Sequence, residues 1–205
     1  ITVLGGGVRR GCVHRCIGDR IAAATYLCAA AAAGGQVTLR GVDYRHLATV
    51  TTALGQAGCR LQCTEDSITL ESDGHLRAIP PVRTSPYPGF PTDAQAPLMA
   101  ALLRSEGAVM FVENMFDSRY RHVPELVRMG ADIRLEGRVA VVYGTRELHG
   151  AAVRCTDLRG GAALAIAALQ TPDATLIHDI YHIQRGYQDM AGDLRALGAD
   201  AIVEV

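Results

Sequence analysis

The chain has 205 residues, 49% of them hydrophobic, and carries 20 basic against 21 acidic residues for a net charge of −1 at pH 7. This length suits one large globular domain or two small ones, and the balanced charge argues against a nucleic-acid partner held by bulk electrostatics. Every basic residue is arginine, so an anion site here would use guanidinium groups, which match carboxylates and phosphates. A GC-rich codon bias explains the same feature equally simply. The sequence shows neither a membrane-length apolar run nor a signal-peptide layout, so we expect a soluble, cytoplasmic protein with no membrane partner.

The six cysteines are spread along a chain that is apolar enough to fold without disulfides. No His or second cysteine pair completes a zinc-binding set. We therefore predict reduced thiols and no metal site.

Three segments share one pattern, in which an Asp opens an alanine-rich apolar run and a turn and a β-branched strand follow. The runs and strands are 19–33 with 36–39, 93–103 with 108–112, and 157–169 with 173–177. A second helical stretch follows each strand and ends at Gly58, Gly130 or Gly198, which lie 37 to 41 positions after the opening Asp. The near-equal spacing indicates an internal threefold repeat.

Each repeat reads as strand, helix, strand, helix, strand, strand. The opening Asp predicts a helix N-cap, the closing Gly a left-handed helix end, and strand pairs such as 60–63 with 67–71 follow. A unit of this size cannot bury both faces of its helices alone, so we predict an α/β domain of three units around a shared axis, with some helices inside. The alanine runs favour such close helix packing.

The repeats are expected near residues 16–75, 76–145 and 146–205, as one domain covering 16–205. Residues 1–15, which begin with a strand-like segment at 1–4, are expected to be the end of a preceding domain and a crossover. The third repeat stops after one of its last two strands, so both ends of the sequence look cut.

The segment 83–95 combines Pro86, Pro88 and Pro91 with a glycine and leads directly into a helix. Prolines restrict the chain before anything binds, so a side chain at the end of this loop is pre-positioned. That side chain is Asp93, for which N-capping and a role as acid/base or hydroxyl ligand are compatible.

Arginines occupy repeat-equivalent turns in three further segments: Arg119 and Arg121 after a buried strand, Arg159 at a helix start, and Arg185 in the last repeat. A helix start adds free amides that attract anions. If the repeats are real, these arginines lie at one end of the domain. The residues alone leave two readings open, an anionic small-molecule site or scattered surface arginines.

Taken together and in order, these segments resemble the UDP-N-acetylglucosamine 1-carboxyvinyltransferase family of enolpyruvyl transferases. The likeness spans nearly the whole chain and depends on the combination of short matches. They are Asp19-Arg20-Ile21, Phe90-Pro91-Thr92-Asp93 with Gln95-Ala96, Arg119 with His122-Val123-Pro124-Glu125-Leu126 and Met129-Gly130-Ala131, Thr156-Asp157-Leu158-Arg159, and Tyr181-His182-Ile183 with Arg185-Gly186-Tyr187.

The resemblance implies an enzyme of two inside-out α/β barrels of three repeats each, of which this chain covers most of one. It implies transfer of the enolpyruvyl group of phosphoenolpyruvate to the 3-hydroxyl of UDP-N-acetylglucosamine in peptidoglycan synthesis, without metal or organic cofactor. Asp93 would contact that hydroxyl and act in proton transfer, and Met115 would offer a backbone contact to the sugar nucleotide. Arg159 and Arg185 would hold the carboxylate and phosphate of phosphoenolpyruvate, with Arg119 supporting the cleft.

Two departures from the family pattern stand out. Tyr87 occupies a position where some members have His. The family's mobile loop with its reactive Cys matches none of the six cysteines, so we expect this chain alone to be inactive without the missing N-terminal domain. Two alternatives remain: the related transferase acting on shikimate 3-phosphate, and a non-catalytic sugar-nucleotide-binding or regulatory half-protein of the same fold.

Overall fold

The computed structural model describes residues 1–2, 4–7 and 10–203. Its helices and strands fall into three consecutive groups that follow the predicted repeats. The first group is α1 (Arg20–Ala33), β1 (Gly35–Arg40), a 3-10 turn (Tyr44–Leu47), α2 (Ala48–Ala57), β2 (Arg60–Cys63) and β3 (Ser67–Ser72).

The second group repeats this order with a strand in front, and the third repeats only its first part, also with a strand in front. The second is β4 (Val82–Arg83), α3 (Thr92–Ala101), a 3-10 turn (Leu102–Arg104), β5 (Ala108–Val112), α4 (Val123–Arg128), β6 (Asp132–Glu136) and β7 (Val139–Tyr143). The third is β8 (Ala152–Arg154), α5 (Leu158–Ala168), β9 (Leu176–His178), α6 (Tyr181–Gln184) and α7 (Met190–Ala196).

The second group contains the whole predicted unit. Its sheet has the order β4-β5-β7-β6, with β4 parallel to β5 and the other pairs antiparallel. The first group has the antiparallel part, β1-β3-β2, and the third has the parallel pair, β8-β9. The described positions of the segments 1–4 and 199–203 form no strand, whereas Val3 and residues 204–205, also part of the predicted end strands, lie outside the described residues.

Helices α1, α3 and α5 pack against one another at the centre of the molecule. Their alanine content explains this arrangement, because small side chains let helix axes approach closely. Every residue of α3 from Ala94 to Ala101 is buried, as are most residues of α5. Alternate residues of β5 and β7, including Phe111 and Val142, point into the same core. The prediction that some helices lie inside is confirmed.

The closing glycines adopt positive φ as predicted, with values of 116° at Gly58, 91° at Gly130 and 98° at Gly198. At Gly130 the surroundings also require glycine, since a Cβ would lie 2.4 Å from the carbonyl oxygen of Glu147. The helix ends were therefore correctly placed from sequence.

The capping prediction is confirmed for two of the three opening Asp residues and wrong for the third. Asp19 accepts hydrogen bonds from the amides of Ile21 and Ala22, and Asp157 caps α5 in the same way. In α3 the N-cap is Pro91, which has no side-chain cap, and Asp93 lies inside the first turn. The proline-rich loop starts this helix earlier, because the fixed extended conformation of Pro91 suits the position before a helix.

Candidate functional site

Asp93 projects from the first turn of α3 into a cleft, and its side chain is 44% exposed. Its carboxylate accepts a hydrogen bond from Arg119, with 2.5 Å between Nη2 and Oδ1. The Nε atom of Arg159 lies 3.7 Å from the same oxygen. One carboxylate oxygen thus lies between two guanidinium groups that come from different repeats.

Arg119 lies in the segment between β5 and α4, and its side chain is only 17% exposed. Besides Asp93 it donates to the carbonyl of Thr92 at 3.3 Å. Its guanidinium carbon lies 5.7 Å from the centre of the Phe116 ring, within cation–π range. Its Nε atom is buried and has no partner among the described residues. Arg119 is therefore held in place through Nη2, while its buried Nε–H donor lacks a partner among the described residues.

Arg159 follows Asp157 at the start of α5 and is 12% exposed. Its Nη1 donates to the hydroxyl of Tyr187 at 3.1 Å, and its guanidinium carbon lies 5.6 Å from the centre of that ring. The Tyr187 hydroxyl lies 2.8 Å from that of Thr25 on α1. Arg159 is thus oriented by groups from the first and third repeats, and its buried Nε also has no hydrogen-bond partner among the described residues.

The cleft has a volume of about 380 Å³ and also contains Arg121, Asp157, His182 and Arg185. Arg185 is exposed, and its side chain makes no hydrogen bond to another described residue. Four guanidinium groups face two carboxylates in this space, so the cleft carries excess positive charge. A small molecule with a carboxylate and a phosphate matches that charge and the fork geometry of arginine.

Met115 is 40% exposed and follows β5 by three positions. Its amide donates to the carboxylate of Glu113 at 2.8 Å. A backbone contact from Met115 to a ligand is therefore restricted to its carbonyl oxygen. Met115 is not among the residues that line the cleft with Asp93 and the arginines.

Two titratable groups next to the arginines have shifted pKa values. Burial lowers the pKa of His122 to about 4, with nearby Asp157 raising it and Arg119 lowering it further. Burial raises the pKa of Asp157, but the Gly160 amide, His122 and Arg119 outweigh this effect and hold it below its usual value. His122 is therefore neutral and Asp157 ionised at neutral pH.

The structure brings together Asp93, Arg119, Arg159 and Arg185, all of which were proposed from sequence. It also assigns supporting contacts to Tyr187 and Glu113, for which the sequence suggested no role. Glu113 sits at the end of a buried strand, and a charged residue at such a position is the signal that could have found it. Tyr187 occurs in a noted segment, but its contact with Arg159 joins residues 28 positions apart, and its contact with Thr25 depends on packing across repeats.

Tyr87, which departs from the family pattern, lies outside the cleft lining. Its ring is 60% exposed, lies 5.2 Å beneath the guanidinium carbon of Arg20 and packs edge-on against His46 at 6.4 Å. The substitution therefore changes a surface contact of the proline-rich loop.

The part of the chain that the structure describes contains no group of three or more His, Cys, Asp or Glu side chains placed to hold a metal ion. All six cysteines are free thiols, as predicted. No helix among the described residues is long and apolar enough to cross a membrane.

The chain is similar to curated transferases over nearly its whole length. It is 46% identical over 190 residues to the UDP-N-acetylglucosamine 1-carboxyvinyltransferase of Zymomonas mobilis, a match that covers 93% of this chain and 44% of the relative. It is 43% identical over 202 residues to UDP-N-acetylglucosamine 1-carboxyvinyltransferase 3 of Caldanaerobacter subterraneus, covering 98% and 48%. The chain thus spans a little under half the length of these relatives.

Solved structures show the same mixed α/β fold. The enolpyruvyl transferase NikO from Streptomyces tendae superimposes with a TM-score of 0.81 at 30% identity, covering 90% of this chain and 44% of that one. An EPSP synthase from Acinetobacter baumannii gives a TM-score of 0.69 at 19% identity and shows the fold alone. The family model described as EPSP synthase (3-phosphoshikimate 1-carboxyvinyltransferase) matches residues 1–194. The resemblance inferred from the sequence motifs is confirmed, and the chain belongs to the EPSP synthase family of carboxyvinyl (enolpyruvyl) transferases.

Proposed function

We propose that this chain is the C-terminal part of a UDP-N-acetylglucosamine 1-carboxyvinyltransferase and forms one side of its active site. The observation that carries the proposal is the convergence of Asp93 and Arg119 from the second repeat with Arg159 and Arg185 from the third. The names of the curated relatives support the choice of UDP-N-acetylglucosamine as the acceptor.

In the proposed reaction the 3-hydroxyl oxygen of the sugar bonds to C2 of phosphoenolpyruvate while C3 gains a proton. Loss of phosphate and of a C3 proton then restores the double bond. Asp93 contacts the hydroxyl and takes part in proton transfer, which requires a carboxylate within hydrogen-bond reach of the reacting group. Its exposed position in the first turn of α3 suits this role.

The arginines bind the anionic substrate. Arg159 and Arg185 hold the carboxylate and phosphate of phosphoenolpyruvate, and charge-assisted bonds to them also stabilise charge that develops during addition. Arg119 keeps Asp93 in place and supports the cleft. Met115 contributes its carbonyl oxygen to the sugar nucleotide. No step of this proposal uses a metal or an organic cofactor.

The remaining parts of the proposal concern the whole enzyme. We infer that residues 16–205 form one of two inside-out α/β barrels, with residues 1–15 leading from the other. The partner domain supplies the reactive cysteine loop and further sugar-nucleotide ligands. Because residues of one catalytic constellation lose most of their effect when members are removed, we expect this chain alone to bind weakly and to be inactive. The whole enzyme would act in the cytoplasm in peptidoglycan synthesis.

The test is isothermal titration of this chain with UDP-N-acetylglucosamine and with phosphoenolpyruvate, together with a phosphate-release assay. Binding of the sugar nucleotide that is clearly weakened in Asp93→Ala, with no phosphate release, supports the proposed half-site. Phosphate release by this chain alone would show that the cysteine loop is not needed. Shikimate 3-phosphate is the matched competitor, and preferential binding of it would favour the other transferase.

A non-catalytic sugar-nucleotide-binding protein is the second candidate. It is distinguished by joining the chain to the N-terminal domain of a relative: restored phosphate release supports the transferase, and binding without turnover supports the alternative. If neither the chain alone nor the joined protein binds UDP-N-acetylglucosamine, the proposed function is refuted.

A further inference from the structure

Glu113 follows β5 directly, and only 1% of its surface is exposed. It forms no salt bridge with another residue that the structure describes. Its Oε1 accepts from the Thr84 hydroxyl at 2.9 Å and from the amides of Met115 at 2.8 Å and Phe116 at 3.1 Å. Its Oε2 accepts from the Thr92 hydroxyl at 2.9 Å. A buried carboxylate is costly unless its oxygens are fully bonded, and four neutral donors satisfy this one.

The four donors belong to the two segments that deliver the cleft residues. The loop 84–92 is fixed at its first and last residues and leads directly to Asp93. The other segment starts with the Met115 amide and leads to Arg119. Glu113 is thus the common attachment point for both members of the Asp93–Arg119 pair.

The position of Thr92 matters for both members of that pair. Arg119 donates from the same Nη2 atom to the Thr92 carbonyl at 3.3 Å and to the Asp93 carboxylate at 2.5 Å. A shift of Thr92 therefore moves both acceptors of Arg119 together. The hydroxyl of Thr92 is its anchor to Glu113.

A carboxylate at position 113 has no equal substitute. Glutamine has one acceptor oxygen, and its NH2 group only donates. In Glu113→Gln, if the amide oxygen keeps the three Oε1 donors, the NH2 group faces the Thr92 hydroxyl, which must then turn its hydrogen away and accept. The negative charge that strengthens all four hydrogen bonds is lost in either orientation of the amide. The two segments would then be held more weakly while the shape of the side chain stayed almost the same.

We propose that Glu113 is a positioning residue that fixes Asp93 relative to Arg119 and so sets the geometry of the acceptor-sugar site. This inference rests on the proposed function for its substrate. It predicts that Glu113 affects sugar-nucleotide binding mainly through Asp93, with a smaller effect through the Met115 segment that it also holds. A residue needed merely for folding would weaken the site independently of Asp93.

A double-mutant cycle on this chain separates the two cases. UDP-N-acetylglucosamine is titrated into wild type, Glu113→Gln, Asp93→Ala and the double variant. We expect Glu113→Gln to lose about tenfold in affinity, the scale of one hydrogen bond to a charged group. The further loss that Glu113→Gln causes in the Asp93→Ala background should be clearly smaller than tenfold. Losses that multiply in the double variant, or wild-type affinity in Glu113→Gln, would overturn the inference.

Two further variants keep the test decisive if Glu113→Gln does not fold. Thr92→Val removes only the hydroxyl that Oε2 accepts from, and Thr92→Ser keeps it. Loss of affinity in the first with recovery in the second supports the positioning role, and equal affinity in both contradicts it.

A crystal structure of Glu113→Gln, or of Thr92→Val, decides the geometry without any substrate. We expect the Asp93–Arg119 contact to be broken or split between conformers, and an unchanged contact would refute the inference. If wild type does not bind the sugar nucleotide, the proposed function fails, and the crystal structure still decides the role of Glu113.

Discussion

Lowering the pH is expected to destabilise the folded chain through His122. The side chain is 1% exposed, and neither ring nitrogen has a hydrogen-bond partner among the described residues. Its pKa falls from 6.5 to about 4, mainly because burial disfavours the charged form. Asp157 raises this pKa and Arg119 lowers it, so the neighbouring charges partly cancel.

The sign follows from proton linkage. Above pH 6.5 neither state holds the proton on His122, and its contribution to stability is fully present. Between pH 6.5 and about 4 the unfolded chain binds a proton that the folded chain excludes, so stability falls as the pH falls. From pH 8 to pH 5 the loss from this group is about 2 kcal/mol. For a chain of this length that corresponds to a fall in Tm of about 4–8 °C.

Urea denaturation at pH 8, 6 and 5 measures the effect as a change in the free energy of unfolding. His122→Leu removes the titrating group at nearly constant volume. We expect the fall in its free energy of unfolding between pH 8 and pH 5 to be about 2 kcal/mol smaller than in the wild type, whatever its stability at pH 8. The matched control is His75→Leu, at an exposed position, which should follow the wild-type curve. An unchanged pH dependence in His122→Leu would refute the burial argument.

Three further predictions concern backbone, charge and thiols. Gly130→Ala should lower the free energy of unfolding by more than about 2 kcal/mol, because φ is 91° and the new Cβ would lie 2.4 Å from the Glu147 carbonyl oxygen. Gly137→Ala, where φ is 56° and the space around the new Cβ is open, should lower it clearly less when both are measured by urea denaturation. Arg185→Ala should weaken phosphoenolpyruvate binding about tenfold or more with Tm unchanged, whereas Arg60→Ala, on the exposed strand β2, should bind normally in the same titration. An aromatic disulfide reagent should label three thiols quickly in the native chain and the other three only after unfolding, since burial protects the latter and raises their pKa values. The fast group is Cys12, Cys16 and Cys63, and the slow group is Cys28, Cys59 and Cys155.

Features that depend on local chemistry could be predicted from the sequence. The span of α1 follows from Asp19 and the alanine run, and β5 was predicted at its observed bounds because a β-branched run is flanked by Gly107 and a polar segment. The internal repeat indicated that the arginines lie at one end of the domain, but the residues alone left a site and scattered surface arginines both open. The resemblance to a known family is what made one site the expectation.

Features that depend on contacts between segments far apart in the sequence could not be predicted in this way. Tyr187 reaches Thr25 and Arg159 across 162 and 28 positions of sequence, and no local pattern reports such a pairing. The sequence also gives no local sign that Glu113 is buried, because its burial depends on hydrogen bonds from four neutral donors in separate segments. The predicted strands at the two chain ends are missing at their described positions, since a strand needs a partner edge as well as a suitable sequence.

The three opening Asp residues show how one repeat position can acquire a chemical role. Asp19 and Asp157 each use one carboxylate oxygen to accept from amides of the helices they cap. In the second repeat the proline-rich loop moves the helix start ahead of Asp93, so its carboxylate is released from capping and meets two arginines instead. The failure of the capping prediction at Asp93 is therefore itself informative. Of three equivalent side chains, the one that departs from the structural pattern is the one whose carboxylate lies between arginines of the cleft, which supports its proposed role in proton transfer.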